Sequence, residues 1–164
     1  MRQTSFEGFA CSLARSLEAV GDWWSPLIIR DLFIGLRRFE ELVENLGISR
    51  NLLTARLTVL VERGVAQSTP YSEHPKRVEY SLTESGRELA TILMALTAWG
   101  DRWQTPPNGP PIRFRHAGHA CVPVVSCATC REPLDASAVT VRPGPGGRAG
   151  PGTRLIARRI AGER

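Results

Sequence analysis

The sequence predicts a mainly α chain with one small β-hairpin, an α+β fold, and three observations carry that prediction. Apolar residues recur every three or four positions in successive stretches before Thr105, the period of an amphipathic helix. Phe39–Leu46 and residues 50–63 read as two helices separated only by Gly47, Ile48 and Ser49. Immediately afterwards, two β-prone runs flank the turn-forming cluster Ser72, Glu73, His74 and Pro75. A helix pair followed by a hairpin has the order of a winged helix-turn-helix.

Taken in order, residues 11–20 read as a first helix with Leu13, Leu17 and Val20 on one face, broken by Gly21 and Asp22. Residues 24–34 form the next, with Ser25 as its cap and Pro26 at the first helical position. Leu27, Ile28, Ile29, Leu32 and Phe33 make it apolar nearly all round, so it is the expected central core helix, and Gly35 ends it. Leu36, Arg37 and Arg38 are a short extended link, a place for a small strand.

In the helix that follows, Phe39, Leu42, Val43 and Leu46 share a face. Gly47 stops it by reaching positive φ at no steric cost, and Ser49 can cap the next helix through its hydroxyl. On that second helix Leu53, Leu57 and Leu60 form the buried stripe. Asn51, Ala55 and Thr58 lie opposite, flanked by Arg50, Thr54 and Arg56. A small, polar face without acids suits base edges in a major groove; the alternative is a plain helical hairpin with a solvated outer face. The hairpin resolves the choice towards DNA. Val78, Tyr80 and Leu82 alternate with polar residues as in a half-buried strand, and Lys76, Arg77 and His74 at its tip would meet phosphate or a minor groove. Arg37 and Arg38, just ahead of the helix that crosses the DNA backbone, are further phosphate candidates.

Thr83 opens a long helix, and Gly86 stands where Glu or Gln would complete a capping box. Leu89, Ile92, Leu93, Leu96, Trp99 and Trp103 give it one broad apolar stripe. A helix projecting beyond a small core needs a partner for that stripe, and a symmetry mate is the economical one. A two-fold homodimer would present two recognition helices to a palindromic double-stranded DNA site.

Several stretches together carry a resemblance to a known family. They are Cys11-Ser12-Leu13-Ala14-Arg15, Val20-Gly21-Asp22-Trp23-Trp24, Leu36-Arg37-Arg38-Phe39, the run from Ile48 to Leu57, and the run from Val78 to Gly86. Over residues 8–104 the chain resembles the HxlR-type regulators, a branch of the MarR-like winged-helix transcription factors. The resemblance implies a winged-helix dimer. It also implies a redox-sensing role for Cys11, whose position matches the cysteine through which several such regulators detect oxidants or electrophiles. Trp23 departs from the family's usual basic or polar residue and offers an aromatic surface.

The chain has 164 residues and a formal charge of +5, enough for one domain with a core plus an appendage, and basic enough to favour an anionic partner. No apolar run approaches membrane-spanning length and no long apolar signal region opens the chain, so a cytoplasmic protein without a membrane partner is expected. The expected organisation is a DNA-binding and dimerisation domain over residues 1–104, a Pro-rich linker over 105–111, a small Cys/His-containing β module over 112–145, and a disordered basic tail over 146–164. The module holds Cys127 and Cys130 as a CxxC after a strand-like Val122, Pro123, Val124 and Val125, half of a zinc ribbon. His119 and Cys121 are the candidate second pair for zinc. In HxlR-type tails a Cys-Gly-His precedes the CxxC, but here that cysteine is Ala117, and Arg131 replaces a glycine. The reading therefore prefers a degenerate, metal-free tail whose thiols pair on oxidation. The main functional expectation is a sequence-specific transcriptional regulator responsive to redox or a small ligand. The competing one is a thiol- or zinc-dependent redox protein built on the CxxC, against which no His, Asp or Glu cluster accompanies a nucleophile; no enzyme is expected.

Overall fold

A computed structural model describes residues 5, 6 and 8–161. The chain runs α1 (Ser12–Val20), α2 (Ser25–Ile34), α3 (Phe39–Leu46), α4 (Arg50–Glu62), β1 (Ala66–Glu73), β2 (Lys76–Leu82), α5 (Glu84–Trp103), β3 (Phe114–His116), β4 (His119–Cys121) and α6 (Arg154–Ala161). This is the winged helix-turn-helix arrangement that the sequence predicts, followed by a tail. Among the described residues no helix is long and apolar enough to cross a membrane.

The core forms where α2 meets α3, α4, α5 and the base of the β1–β2 hairpin. Ile28, Ile29 and Leu32 of α2 close on Leu42, Ile48, Leu53, Leu57, Leu60, Val65, Ala66, Leu82 and Ala90. Leu53, Leu57 and Leu60 are at most 1% exposed. Burying each such side chain is worth roughly 1.5–3 kcal/mol, so the inner face of α4 fixes which face it turns outward.

Polar anchors set the angles between these helices. Asp22, expected only to break the first helix, caps the second: its Oδ1 accepts from the Trp24 and Ser25 amides at 2.8 and 3.0 Å, and its Oδ2 from the Ser25 hydroxyl at 2.5 Å. Ser25 is thus the first residue of α2 rather than its cap. Asp31, 1% exposed, accepts from Arg30 Nε at 2.8 Å and from Asn45 Nδ2 at 2.7 Å, which ties α3 to α2. Gly47 ends α3 at φ 62° and the Ser49 hydroxyl accepts the Leu52 amide at 3.4 Å, as expected. Gly86 has a reason other than capping. A Cβ there would lie 2.1 Å from the Val65 carbonyl oxygen, so the first turn of α5 rests directly on the backbone at the foot of β1.

In the wing, β1 and β2 pair antiparallel from Ala66 with Leu82 to Glu73 with Lys76, and the turn is only His74 and Pro75, joined by a cis bond. The register shifts between Pro70 and Ser72, which leaves Tyr71 as the extra, bulged residue. The link before α3 is a single-bridge strand: Arg38 pairs with Glu79, and the Tyr80 amide donates to the Arg37 carbonyl at 2.8 Å.

Two expectations about apolar stripes need correction. The α5 stripe divides. Leu89 and Leu93 pack on the monomer's own core, whereas Ile92, Leu96, Trp99 and Trp103 are 65, 56, 55 and 60% exposed. On α1 it is Ala14 that is buried, while Leu13 and Leu17 remain 69 and 38% exposed.

The tail also differs from its expected form. β3 and β4 make a hairpin whose two turn residues, Ala117 and Gly118, both have positive φ, the two-residue turn that matches strand twist. Beyond it α6 is formed where composition points to a disordered segment. Gly152 packs on Phe9, whose ring carbon would lie 2.1 Å from an added Cβ, and the buried Thr153 hydroxyl donates to the Arg148 carbonyl at 2.9 Å.

Candidate nucleic-acid interface

The outer face of α4 carries the side chains that its inner leucines turn away from the core. Arg50, Asn51, Thr54, Ala55 and Thr58 are all exposed, as is Ser49 at the cap. The Thr54 hydroxyl donates to the Arg50 carbonyl and the Thr58 hydroxyl to the Thr54 carbonyl, both at 2.9 Å. Their protons are committed to the helix, so each offers an acceptor lone pair and a methyl group outward.

Arg56 departs from the expected set. Its Nε lies 3.4 Å from Asp22 Oδ1, with its side chain 26% exposed and the aspartate 12%. It braces α4 against the cap of α2 and does not join the outer face. The sequence places it on the flank of the helix, where a one-residue turn of the helix decides between solvent and body.

A groove of about 660 Å³ runs between this helix and the wing, lined by Arg38, Phe39, Glu40, Glu41, Thr54, Tyr71, Arg77, Val78 and Tyr80. It brings together residues from four elements. The single-bridge strand supplies Arg38, whose guanidinium lies 5.2 Å from the Tyr71 ring centre. The bulge in β1 supplies Tyr71, which sequence reasoning missed as a site residue because a bulge is not visible in an alternating pattern. β2 supplies Arg77 and α4 supplies Thr54. Arg37 and His74 are exposed as well. Lys76 opens β2, and the expectation for its side chain lies outside the described residues.

The electrostatics of the groove are mixed rather than purely basic. Glu40 binds Arg50 through two hydrogen bonds of 2.7 and 2.5 Å, and Arg50 also lies 5.9 Å from the Phe39 ring. Those bonds hold the Glu40 carboxyl below the usual carboxylate range, against a small opposing effect of burial, with Arg77 adding to the lowering. The same partner raises the Arg50 pKa. Glu41 has a different task. Its Oε2 accepts the Arg38 and Arg37 amides at 2.8 and 3.0 Å, and these contacts, the Arg38 amide first, lower its pKa. Glu41 thereby fixes the backbone that carries both arginines. Glu40 instead holds the Arg50 guanidinium in an exposed pair, where an approaching phosphate competes directly for it.

The thiols lie elsewhere. Cys11 is the half-buried cap residue of α1, in a hollow also lined by Phe9, Arg15 and Arg148. Cys121 ends β4, and Cys127 and Cys130 share a separate turn. Among the described residues no three His, Cys, Asp or Glu side chains come together as a metal site, so His119 and Cys121 do not complete a set with Cys127 and Cys130. The Cys127 thiol is pulled down to about 7 by the amides of Cys130 and then Thr129, with the Cys130 thiol contributing.

Comparison with known proteins gives this arrangement a context. An uncharacterized HTH-type transcriptional regulator of Mycobacterium tuberculosis is 47% identical over 146 residues, covering 88% of this chain and 91% of the relative. Another, from Synechocystis, is 39% identical over 97 residues, covering 58% of this chain and 72% of the relative. Among solved structures, PA1607, described as a candidate transcription factor, superposes with a TM-score of 0.74 at 38% identity, over 84% of this chain and 98% of that one. The redox regulator HypR in its oxidized form gives a TM-score of 0.52 at 31% identity, over 56% of this chain and 96% of its own. The family model described as HxlR-like helix-turn-helix matches residues 19–108, and the chain belongs to that family of DNA-binding transcriptional regulators.

Proposed function

We propose that this regulator binds a palindromic operator as a homodimer, with α4 in the major groove and the wing on the flanking phosphates. The observation that carries this reading is the groove that gathers Arg38, Tyr71 and Arg77 beside Thr54 on the small, acid-free face of α4. In it, Asn51 offers the donor–acceptor pair that matches adenine N6 and N7. Thr54 and Thr58, with their protons committed, accept from an amino group or touch a thymine methyl. Arg37, Arg38, Arg77, His74 and the exchangeable Arg50 neutralise phosphates. The partner copy covers Leu13 and Leu17 of α1 and Ile92, Leu96, Trp99 and Trp103 of α5, a set of exposed apolar side chains on two helices. Footprinting on the DNA beside its own gene tests the reading: a protected, two-fold symmetric site is expected, and uniform protection of all sequences would refute it.

A redox response through Cys11 is a finer reading, supported by the likeness to the redox regulator HypR and by the position of Cys11 at the start of the exposed apolar helix α1. A modified thiol there would alter how α1 meets its partner. Oxidant-induced release of DNA that is abolished in Cys11→Ser supports it, and release unchanged in that variant refutes it.

A further inference from the structure

The tail fails as a zinc ribbon but succeeds as something smaller. Tetrahedral zinc needs four N or S ligands, which in a ribbon come from two knuckles. The β3–β4 turn that would be the second knuckle carries Ala117 and Gly118, and His119 turns its Nδ1 to the Ala120 carbonyl at 2.8 Å. Among the described residues no third ligand joins a cysteine pair. The first knuckle, in contrast, is complete. Ser126 bridges Pro133, the Cys127 amide donates to the Glu132 carbonyl at 2.9 Å, and the Arg131 amide returns to the Cys127 carbonyl at 2.8 Å. Arg131 takes φ 65°, the left-handed conformation that glycine usually supplies there.

We propose that Cys127 and Cys130 form a two-thiolate site for one soft monovalent cation, of the copper(I) class, held by the two sulfurs alone. Three features of the knuckle support it. The Cys127 sulfur accepts the amides of Thr129 and Cys130 and the thiol of Cys130, so both sulfurs stand on the same side of the turn. Those amides stay in place to stabilise a metal-bound anionic sulfur. Cys130 is exposed and Cys127 half-buried, so a cation reaches the pair from solvent without any rearrangement of the fold. Thiolates are soft ligands that select copper(I) over hard cations, and copper(I) accepts two-coordinate binding where zinc requires more ligands. On binding, two S–H bonds break and two S–Cu bonds form. The two protons pass to solvent, copper stays in its +1 state, and no electron is exchanged. The site then carries one net negative charge, next to the Arg131 side chain.

The experiment uses the full, reduced chain under anaerobic conditions, titrated with copper(I) held by a coloured chelator. One copper(I) per chain should be withdrawn from the chelator. Cys127→Ser and Cys130→Ser should each abolish this, with thermal unfolding unchanged, while Cys11→Ser and Cys121→Ser should retain it. Failure to withdraw copper, or retention in Cys127→Ser or Cys130→Ser, overturns the proposal. So does one zinc per chain that depends on His119 or Cys121, since that would be a four-ligand site. One zinc per two chains would also overturn it, as two knuckles would then share a metal. None of these outcomes bears on DNA binding, which uses other residues.

Discussion

Replacing Gly86 with alanine tests how the recognition unit is joined to the dimerisation helix. The new Cβ would lie 2.1 Å from the Val65 carbonyl oxygen, 3.1 Å from its carbon and 3.2 Å from the Leu82 Cβ. The first two atoms are backbone and cannot rotate away. They are held by the Thr83 amide, which donates to the Val65 carbonyl at 3.1 Å, and by the Thr83 hydroxyl, which donates to the Gly64 carbonyl at 2.6 Å. Overpacking of this kind costs about 1–3 kcal/mol, and a backbone clash belongs at the upper end. Alanine returns up to about 1 kcal/mol through helix propensity, leaving a net loss of about 2 kcal/mol. For a chain of this size that lowers Tm by roughly 4–8 °C. Thermal unfolding followed by circular dichroism measures it, with urea midpoints as a check. A variant as stable as the parent, or more stable, would mean that α5 does not rest on the wing's base as described.

Three further outcomes are expected. Asp22→Ala removes the acceptor for two amides and the Ser25 hydroxyl and strands Arg56, which should cost about 1–2 kcal/mol in urea unfolding; no loss would show that α2 needs no cap. Arg77→Ala should reduce the slope of log K against log salt by about 0.9 on operator and random DNA alike, and an unchanged slope would remove Arg77 from the phosphate contacts. Ile92→Glu combined with Leu96→Glu should give a monomer in sedimentation at micromolar concentration with its helical spectrum intact, because those side chains are exposed in the single chain and a charge in an apolar seam is costly. An unaltered dimer would move the interface elsewhere.

What the sequence conveyed was whatever depends on neighbours in the chain. The α3–α4 pair, the Gly47 stop, the Ser49 cap and the leucine stripe of α4 are local patterns, and each is found at its expected position. The wing was legible for the same reason, apart from the bulge that makes Tyr71 a groove residue. Contacts between distant segments were not legible. Gly86 reads as a missing capping residue until the Val65 carbonyl lies against it, and Asp22 reads as a breaker until its carboxylate meets two amides. The α5 pattern is wide enough to face two partners, and period alone cannot assign Leu93 to the core and Leu96 to solvent. Arg56 turned inward because Asp22 waits there, a pairing of residues far apart in the chain. The end of the tail misled through composition: its glycines and arginines suggest disorder, yet Gly152 is where the Phe9 ring fits.

The central claim is that the outer face of α4 reads bases while the wing and link hold phosphate. Fluorescence anisotropy of Asn51→Ala on the footprinted operator and on random duplex, at one salt concentration, tests it most directly. The account predicts a loss of about 1–3 kcal/mol, roughly ten- to a hundredfold, on the operator, with affinity for random DNA unchanged. Equal affinities of variant and parent on both duplexes, or equal losses on both, would contradict it.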